Sequence, residues 1–446
     1  MKLNIVSPVP PARTSIAGDL WHSLPALQEV SDVTLWTNHR DWDPELEQFA
    51  DVRCFPETGF WHELHKAEMT VYHIGNNHEF HSQIWDISRR HPGVVILHDM
   101  ALQHLFTGFF RVTNDTQGYL RLMLEHYGPE GARSARELLD GRRATEDVAR
   151  EFPLTLPAIE NALGVLVHSR DAFDRLARLK RWPVASAGLP FSPTARPGGV
   201  VPRGGGRKRR LIAFGFLGPN RRLDSILRAL ATVEERSSYQ LDIYGSVWDP
   251  EHLEKLARSL GINELVTLHG FVPSEELEEA IEKADLAINL RFPTMGESSG
   301  SQLRIWDHAL PSLVTRTGWY SELPDDTVAF VRQEHEVDDI RLQLQSLFSA
   351  PAALTHMGAR GRLHLEQEHS PRAYARQIVD LARRAASFRA QASARLVARK
   401  IGSDGPMASL SPTSARRVSS RIISVLCGDD AGTIPPSGGE ADSGDR

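Results

Sequence analysis

Apolar residues in this chain come in short runs, and the segments between them carry helical spacing. In the first half Leu3 to Ser7, Val33 to Thr37, Met69 to Ile74, Val94 to Leu97 and Gly164 to Val167 read as buried strands, while Leu20, Leu24 and Leu27 recur on one face of a helix. Strand and helix in alternation predict a parallel sheet covered by helices on both faces. From Arg196 to Arg210 the run RPGGVVPRGGGRKRR is too rich in Gly, Pro and charge to bury, and reads as a linker. A second alternating series follows it. Arg210 to Phe214, Leu241 to Tyr244, Val266 to Leu268, Leu286 to Leu290, Leu313 to Thr315 and Val328 to Val331 read as strands, and Leu223, Ile226, Leu227, Leu230 and Val233 mark one helix face.

The pattern predicts an α/β chain of two doubly wound parallel-sheet domains. Residues 1–195 form the first, 196–209 the linker and 210–369 the second. Ser370 and Pro371 suit the N-cap and first turn of a helix through about Phe388, expected over 370–389 and crossing back to the first domain. Beyond it, residues 390–446 end in GDDAGTIPPSGGEADSGDR and read as a largely disordered tail, with a short amphipathic helix expected around Val418 to Leu426.

Two stretches could meet a ligand. In FPTMGESSGSQLRIWDHALPSL, Phe292 to Leu313, an acid and a Ser/Gly turn follow the apolar strand at Asp285 to Leu290. Gly296 and Gly300 permit tight backbone, and Ser298, Ser299 or Ser301 can cap a helix running to about His308, whose free N–H groups attract phosphate. The loop GFLGPNRR, Gly215 to Arg222, likewise joins a strand to a helix; Gly215 and Gly218 allow close approach, and Arg221 and Arg222 supply charge suited to a diphosphate. In isolation it reads equally as a plain turn with solvated arginines. The G-x-G-x-x-G spacing of nicotinamide sites and the Walker loop are both absent.

Bulk properties narrow the class. The chain has 446 residues, 41% hydrophobic and 24% charged, with mean hydropathy −0.32 and no apolar run near the roughly 20 residues that span a bilayer. The start MKLNIVSPVPP lacks the long apolar segment of a secretory signal, so a cytoplasmic location is expected. Only Cys54 and Cys427 occur, which supports neither a disulfide framework nor a cysteine metal cluster. A net charge of −6 and pI of 6.4 argue against general nucleic-acid binding, although Arg207 to Arg210 and Arg416 to Arg421 are local basic clusters. The pairs in HELH (His62 to His65) and HEFH (His78 to His81) lack the H-E-x-x-H spacing and an assignable third ligand, so no metal and no cofactor are expected.

The order of FGFLGPNRRLDSILRAL, LDIYG, LHGFVPSEELEEAIEKADLAI, PTMGESSGSQLR and TGWYSELPDD resembles the retaining family 4 (group 1) nucleotide-sugar glycosyltransferases of the GT-B fold. SPVPPARTSIAG, YHIGNN and HPGVVILHDMALQHL resemble one bacterial branch of that family, and the likeness covers about residues 1 to 385. It implies two Rossmann-like domains facing across a cleft. It further implies transfer of a hexose-type sugar from a nucleoside diphosphate to a hydroxyl of a glycan, lipid-linked or small-molecule acceptor, as in polysaccharide biosynthesis, with retention and without metal. By the same likeness His98, Glu297 and Asp99 stand at the catalytic positions. Arg221, Arg222, Gly215, Ser298, Ser299, Gly300, Ser301 and Ser15 stand about the donor phosphates, Tyr244, Gly270, Phe271 and Val272 about the nucleoside, and Asn76 and Asn77 on the acceptor side. Peripheral contact with the inner face of a membrane fits a lipid-linked acceptor.

Two positions depart from the family pattern. Counting from Glu297, the second acid of its E-x7-E motif falls on Ile305, or on Arg304 one residue earlier, and Ser15 replaces an expected glycine. They leave open a catalytically silent partner subunit that binds nucleotide or glycan. A nucleotide-sugar epimerase on the same fold is a third reading, told apart by its lack of need for an acceptor.

Overall fold

A computed structural model of the protein describes residues 1–194, 208–390 and 392. Most of the expected linker, the expected tail, the Arg416 to Arg421 cluster and Cys427 lie outside the described residues. The first domain holds seven strands: β1 (Lys2–Val6), β2 (Asp32–Thr37), β3 (Asp51–Cys54), β4 (Met69–Ile74), β5 (Val94–Leu97), β6 (Gly164–Val167) and β7 (Val184–Ser186). They lie in the order β3-β2-β1-β4-β5-β6-β7. The second holds β8 (Arg209–Phe214), β9 (Tyr239–Tyr244), β10 (Val266–Gly270), β11 (Leu286–Ile288), β12 (Ser312–Thr315) and β13 (Ala329–Val331), ordered β10-β9-β8-β11-β12-β13. Every strand pairing is parallel, as between β1 and β4 or β8 and β11.

The central strands are apolar on both faces because helices cover both. All six residues of Met69–Ile74 are buried, and so are all four of Val94–Leu97. The two strands absent from the sequence reading, β3 and β7, are the outermost strands of their sheet; DVRC and VAS are short and half-exposed, and carry little apolar signal. Between β5 and β6 the chain makes a helical excursion through Gln103–Val112, Thr116–Leu139, Thr145–Glu151 and Thr155–Ile159, kinked at Gly128 before Pro129.

The helix Pro371–Ala386 begins with Ser370, whose side chain accepts from the Ala373 amide, and lies on the first domain. Tyr374, Ile378, Leu381 and Ala382 share a core with Leu20, Leu24 and Leu27 of the helix Ser15–Val30, and Arg372 pairs with Glu29 at 3.0 Å. A last link joins the domains at Asp307, which accepts from the Thr194 amide at 2.9 Å and pairs with Arg362 at 2.7 Å.

In a doubly wound sheet the loops diverge where strand order reverses, and ligands bind there beyond the carboxyl ends. The reversals fall between β1 and β4 and between β8 and β11.

Candidate active site at the seam between the domains

Loops beyond the carboxyl ends of the two sheets touch. Past β11, the Met295 carbonyl accepts from the amides of Met100 and Ala101, both at 2.8 Å, and the Ser298 hydroxyl donates to the His168 carbonyl at 3.1 Å. Gly296 has a φ of +82°, and a β-carbon there would fall 2.6 Å from that of Met100, so only glycine allows this approach.

Two helices begin face to face across the seam. Thr14 caps Ser15–Val30 and Ser299 caps Gly300–Asp307, accepting from the Gln302 amide at 3.2 Å. A β-carbon on Gly300 would lie 3.5 Å from the Ser15 β-carbon. Gly215, with a φ of +110°, brings the loop after β8 to the same place; a β-carbon on it would lie 3.5 Å from the Ser301 hydroxyl. Free amides and the positive ends of two helix dipoles, one from each domain, therefore converge.

Cationic side chains stand beside them. Arg221 is 4% exposed; its Nη2 donates to the Phe214 carbonyl at 3.2 Å, and its buried Nη1 has no hydrogen-bond partner. Burial, and the nearby Arg291, bring its pKa down to about 10. The Phe292 amide donates to the Asn220 carbonyl at 2.8 Å, which sets Arg291 beside this loop. Arg291 Nη1 lies 2.7 Å from Glu297 Oε1, while Glu297 Oε2 accepts from the Thr294 hydroxyl at 2.9 Å and the Met295 amide at 2.6 Å. Glu297 is thus held rigidly at the seam.

Opposite lies a floor of buried histidines. His98 Nε2 and His73 Nδ1 are 3.0 Å apart, His98 Nδ1 is 3.8 Å from Asp19 Oδ2, and the His98 and His168 rings pack at 4.8 Å. The ring nitrogens of His98 therefore face inward. Burial holds His98 well below the usual histidine range and brings His73 to about 3 and His168 to about 4, so all three are neutral near pH 7. Burial raises Asp19 to about 8 and, helped by Glu297, Asp99 to about 7. Asp99 Oδ2 accepts from the Asn76 amide at 2.7 Å.

On the expected nucleoside side, the Tyr244 ring stacks on His269 at 4.1 Å, and His269 Nε2 lies 3.0 Å from Asp242. The Gly245 amide donates to the Gly270 carbonyl at 2.6 Å. Phe271 is exposed and carries the Arg13 guanidinium 4.3 Å above its ring, a contact from the first domain. Val272 packs against the apolar cluster of Tyr244, Phe214 and Ile305. Arg304 turns outward to Glu278 and Ser274. Neither position of the missing acid offers an acceptor.

Several expected site residues have other work. Arg222 shares its Nε between both oxygens of buried Glu336 at 3.1 and 2.9 Å, whereas Arg221 beside it keeps Nη1 without a partner. Asn76 and Asn77, placed on the acceptor side, are helix caps: Asn76 Oδ1 accepts from the His104 and Leu105 amides, and Asn77 Oδ1 from the Glu79 amide. Of the histidine pairs, His81 turns inward to the His73 carbonyl while His78 packs over Gly108, and His65 packs on the ring of His91. Arg291, Tyr320, Asp19, His73 and His168 reach the site without having been singled out. Arg291 alone carried a signal, as a charge directly after an apolar strand.

The family model for glycosyl transferases group 1 matches residues 204–364. No curated protein matches the chain by sequence. Among solved structures, sucrose-phosphate synthase of Thermosynechococcus elongatus aligns at 13% identity and TM-score 0.56, over 86% of this chain and 98% of that one. Anabaena HepE in complex with UDP aligns at 13% identity and TM-score 0.54, over 85% and 98%. WaaG, a glycosyltransferase involved in lipopolysaccharide biosynthesis, aligns at 14% and 0.54, over 85% and 99%. The fold is GT-B, and fold and family match together support the resemblance to nucleotide-sugar glycosyltransferases.

Proposed function

We propose that this GT-B chain, matched over residues 204–364 by glycosyl transferases group 1, transfers a sugar from a nucleoside diphosphate to a hydroxyl acceptor with retention of configuration. The observation that carries the reading is the buried Arg221 Nη1, without a partner, beside two facing helix starts from different domains. A buried guanidinium with an unmet N–H is costly unless an anion completes it. A diphosphate fits that requirement.

In this reading the seam stabilises the departing diphosphate with fixed positive charge, which counts most in a site closed to water. The acceptor hydroxyl attacks from the face that the diphosphate leaves, and a phosphate oxygen takes its proton while the anomeric carbon acquires oxocarbenium character. Ser15 and the amides of Ser298 to Ser301 contribute hydrogen bonds. Glu297 orients the donor sugar. His98, neutral and turned inward, lies in the floor next to Asp99, which the Asn76 amide holds and whose pKa of about 7 lets it hold or release a proton near the acceptor. Charge neutralisation by arginine and helix ends needs no metal, so turnover is expected to survive chelation. A glycan, lipid-linked or small-molecule alcohol would serve as acceptor, and among the described residues no helix is long and apolar enough to cross a membrane.

Incubation with uridine, guanosine and adenosine diphosphate sugars and candidate acceptors tests this. Wild type should release diphosphate and give an acceptor-linked product whose anomeric proton matches the donor's configuration, while Arg221→Ala should not; an inverted product overturns the mechanism. Ile305, buried among Ile212, Phe214 and Tyr244 where the family pattern has an acid, favours one second reading, a silent subunit that binds nucleotide without turnover.

A further inference from the structure

Arg221 and Arg291 bring two guanidiniums into one buried region, close enough that Arg291 acts electrostatically on Arg221. Glu297 answers one of those charges. Asp99 also acts on Arg291, but burial raises it to about 7, so it supplies only part of a second negative charge at neutral pH. Two donor atoms remain buried without a hydrogen-bond partner, Arg221 Nη1 and Arg291 Nε, and the Tyr320 hydroxyl sits against both guanidiniums. Positive charge left in excess, together with two unmet donors in one buried region, calls for an anion with several acceptor oxygens.

The shape of the arginine indicates how it would bind. A planar guanidinium presents two edges. In Arg291 the Nη1 end is occupied by Glu297 at 2.7 Å, whereas Nε, on the other edge, is free. The Arg291 amide is tied to the Thr315 hydroxyl at 3.0 Å, and the next amide, of Phe292, to the Asn220 carbonyl in the Arg221 loop. The backbone thus fixes Arg291 relative to Arg221.

We infer that Arg291 is a second phosphate-binding cation of the donor site, bridging a phosphate oxygen through Nε and the Glu297 carboxylate through Nη1. This rests on the reading of the seam as a nucleoside diphosphate site. It couples the two ends of the donor, because the side chain that grips phosphate also orients the acid that faces the sugar. The structural alternative is that Arg291 only neutralises Glu297.

Calorimetric titration of the full chain with uridine diphosphate and with uridine separates these. Arg291→Gln should weaken diphosphate binding about ten- to a hundred-fold, the range for a charge-assisted hydrogen bond, and leave uridine binding unchanged. Arg291→Lys, which keeps charge without the fork, should fall between. Because Arg291→Gln strands a buried carboxylate, the comparison is repeated in a Glu297→Gln background, where a purely neutralising arginine has nothing left to do. The same loss there supports a phosphate ligand; an affinity for diphosphate equal to that of Glu297→Gln alone overturns the proposal. If Arg221→Ala abolishes diphosphate binding while the Arg291 variants keep it, the inference fails and the donor site stands. If neither arginine matters, the donor site itself fails.

Discussion

The amide of Met100 donates to the carbonyl of Met295 at 2.8 Å, joining the loop after β5 of the first domain to the loop after β11 of the second. This bond sets the width of the seam between His98 and Asp99 on one wall and Glu297 on the other, and it forms only because Gly296 adopts a positive φ beneath the Met100 side chain.

Replacing that glycine should therefore separate folding from turnover. Gly296→Ala meets both the conformational penalty of a positive φ and the Met100 side chain, at a cost of about 1 kcal/mol or more. The domains fold about separate cores, so the thermal midpoint should drop by a few degrees while kcat falls at least about ten-fold. Unchanged kcat would show that the Met100–Met295 contact does not form part of the working site.

Stability should pass through a maximum with pH. His73, His81 and His168 have folded pKa values near 3 to 4 through burial, against an unfolded value of 6.5. Between these limits the unfolded chain binds more protons, so stability rises with pH and is lost as pH falls from about 6.5 to about 4. Asp19 acts oppositely: raised by burial to about 8 from 3.8, it is protonated in the folded state, and stability falls as pH rises from about 4 to about 8. Histidines outnumber it below pH 6.5, and Asp19 and Asp99 prevail above. Thermal midpoints should peak near pH 6.5, and Asp19→Asn should flatten the alkaline side. An unaltered alkaline slope in that variant would contradict the assignment of a protonated Asp19.

Restoring the acid at position 305 should harm the protein. Ile305 is 1% exposed and packed with Ile212, Phe214 and Tyr244 in an apolar cluster. Ile305→Glu should lower the urea midpoint by the equivalent of about 3 kcal/mol or more, the scale for an unpaired buried charge. A stable variant with improved donor binding would mean that the site keeps a vestige of the two-acid arrangement.

The strands that build the two switch points were legible because burial on both faces leaves an unbroken apolar run, as in Met69–Ile74 and Leu286–Ile288. The edge strands DVRC and VAS were not, since half their surface meets water and their side chains carry no pattern. At the site, Arg221 was legible from its βα loop. Arg222 beside it looked equivalent, and only the fold brings Glu336 to it. Asn76 ends a strand where a cleft residue belongs, yet its oxygen caps a helix that starts at Gln103. Arg291 shows the converse: one charge in RFPTMGE meant little until Phe292 was seen bonded to Asn220. Local chemistry could be read along the chain; which charges remain unpaired is a property of contacts between distant segments.

The central claim is that the seam is built to hold a diphosphate. It is tested most directly by titrating the full chain with uridine diphosphate and with uridine, side by side with Arg221→Ala. Two charge-assisted phosphate contacts predict that wild type binds the diphosphate at least about a hundred-fold more tightly than the nucleoside, and that Arg221→Ala removes most of that difference without changing uridine affinity. Equal affinity of wild type for the two ligands, or an Arg221→Ala protein that binds diphosphate like wild type, would contradict it.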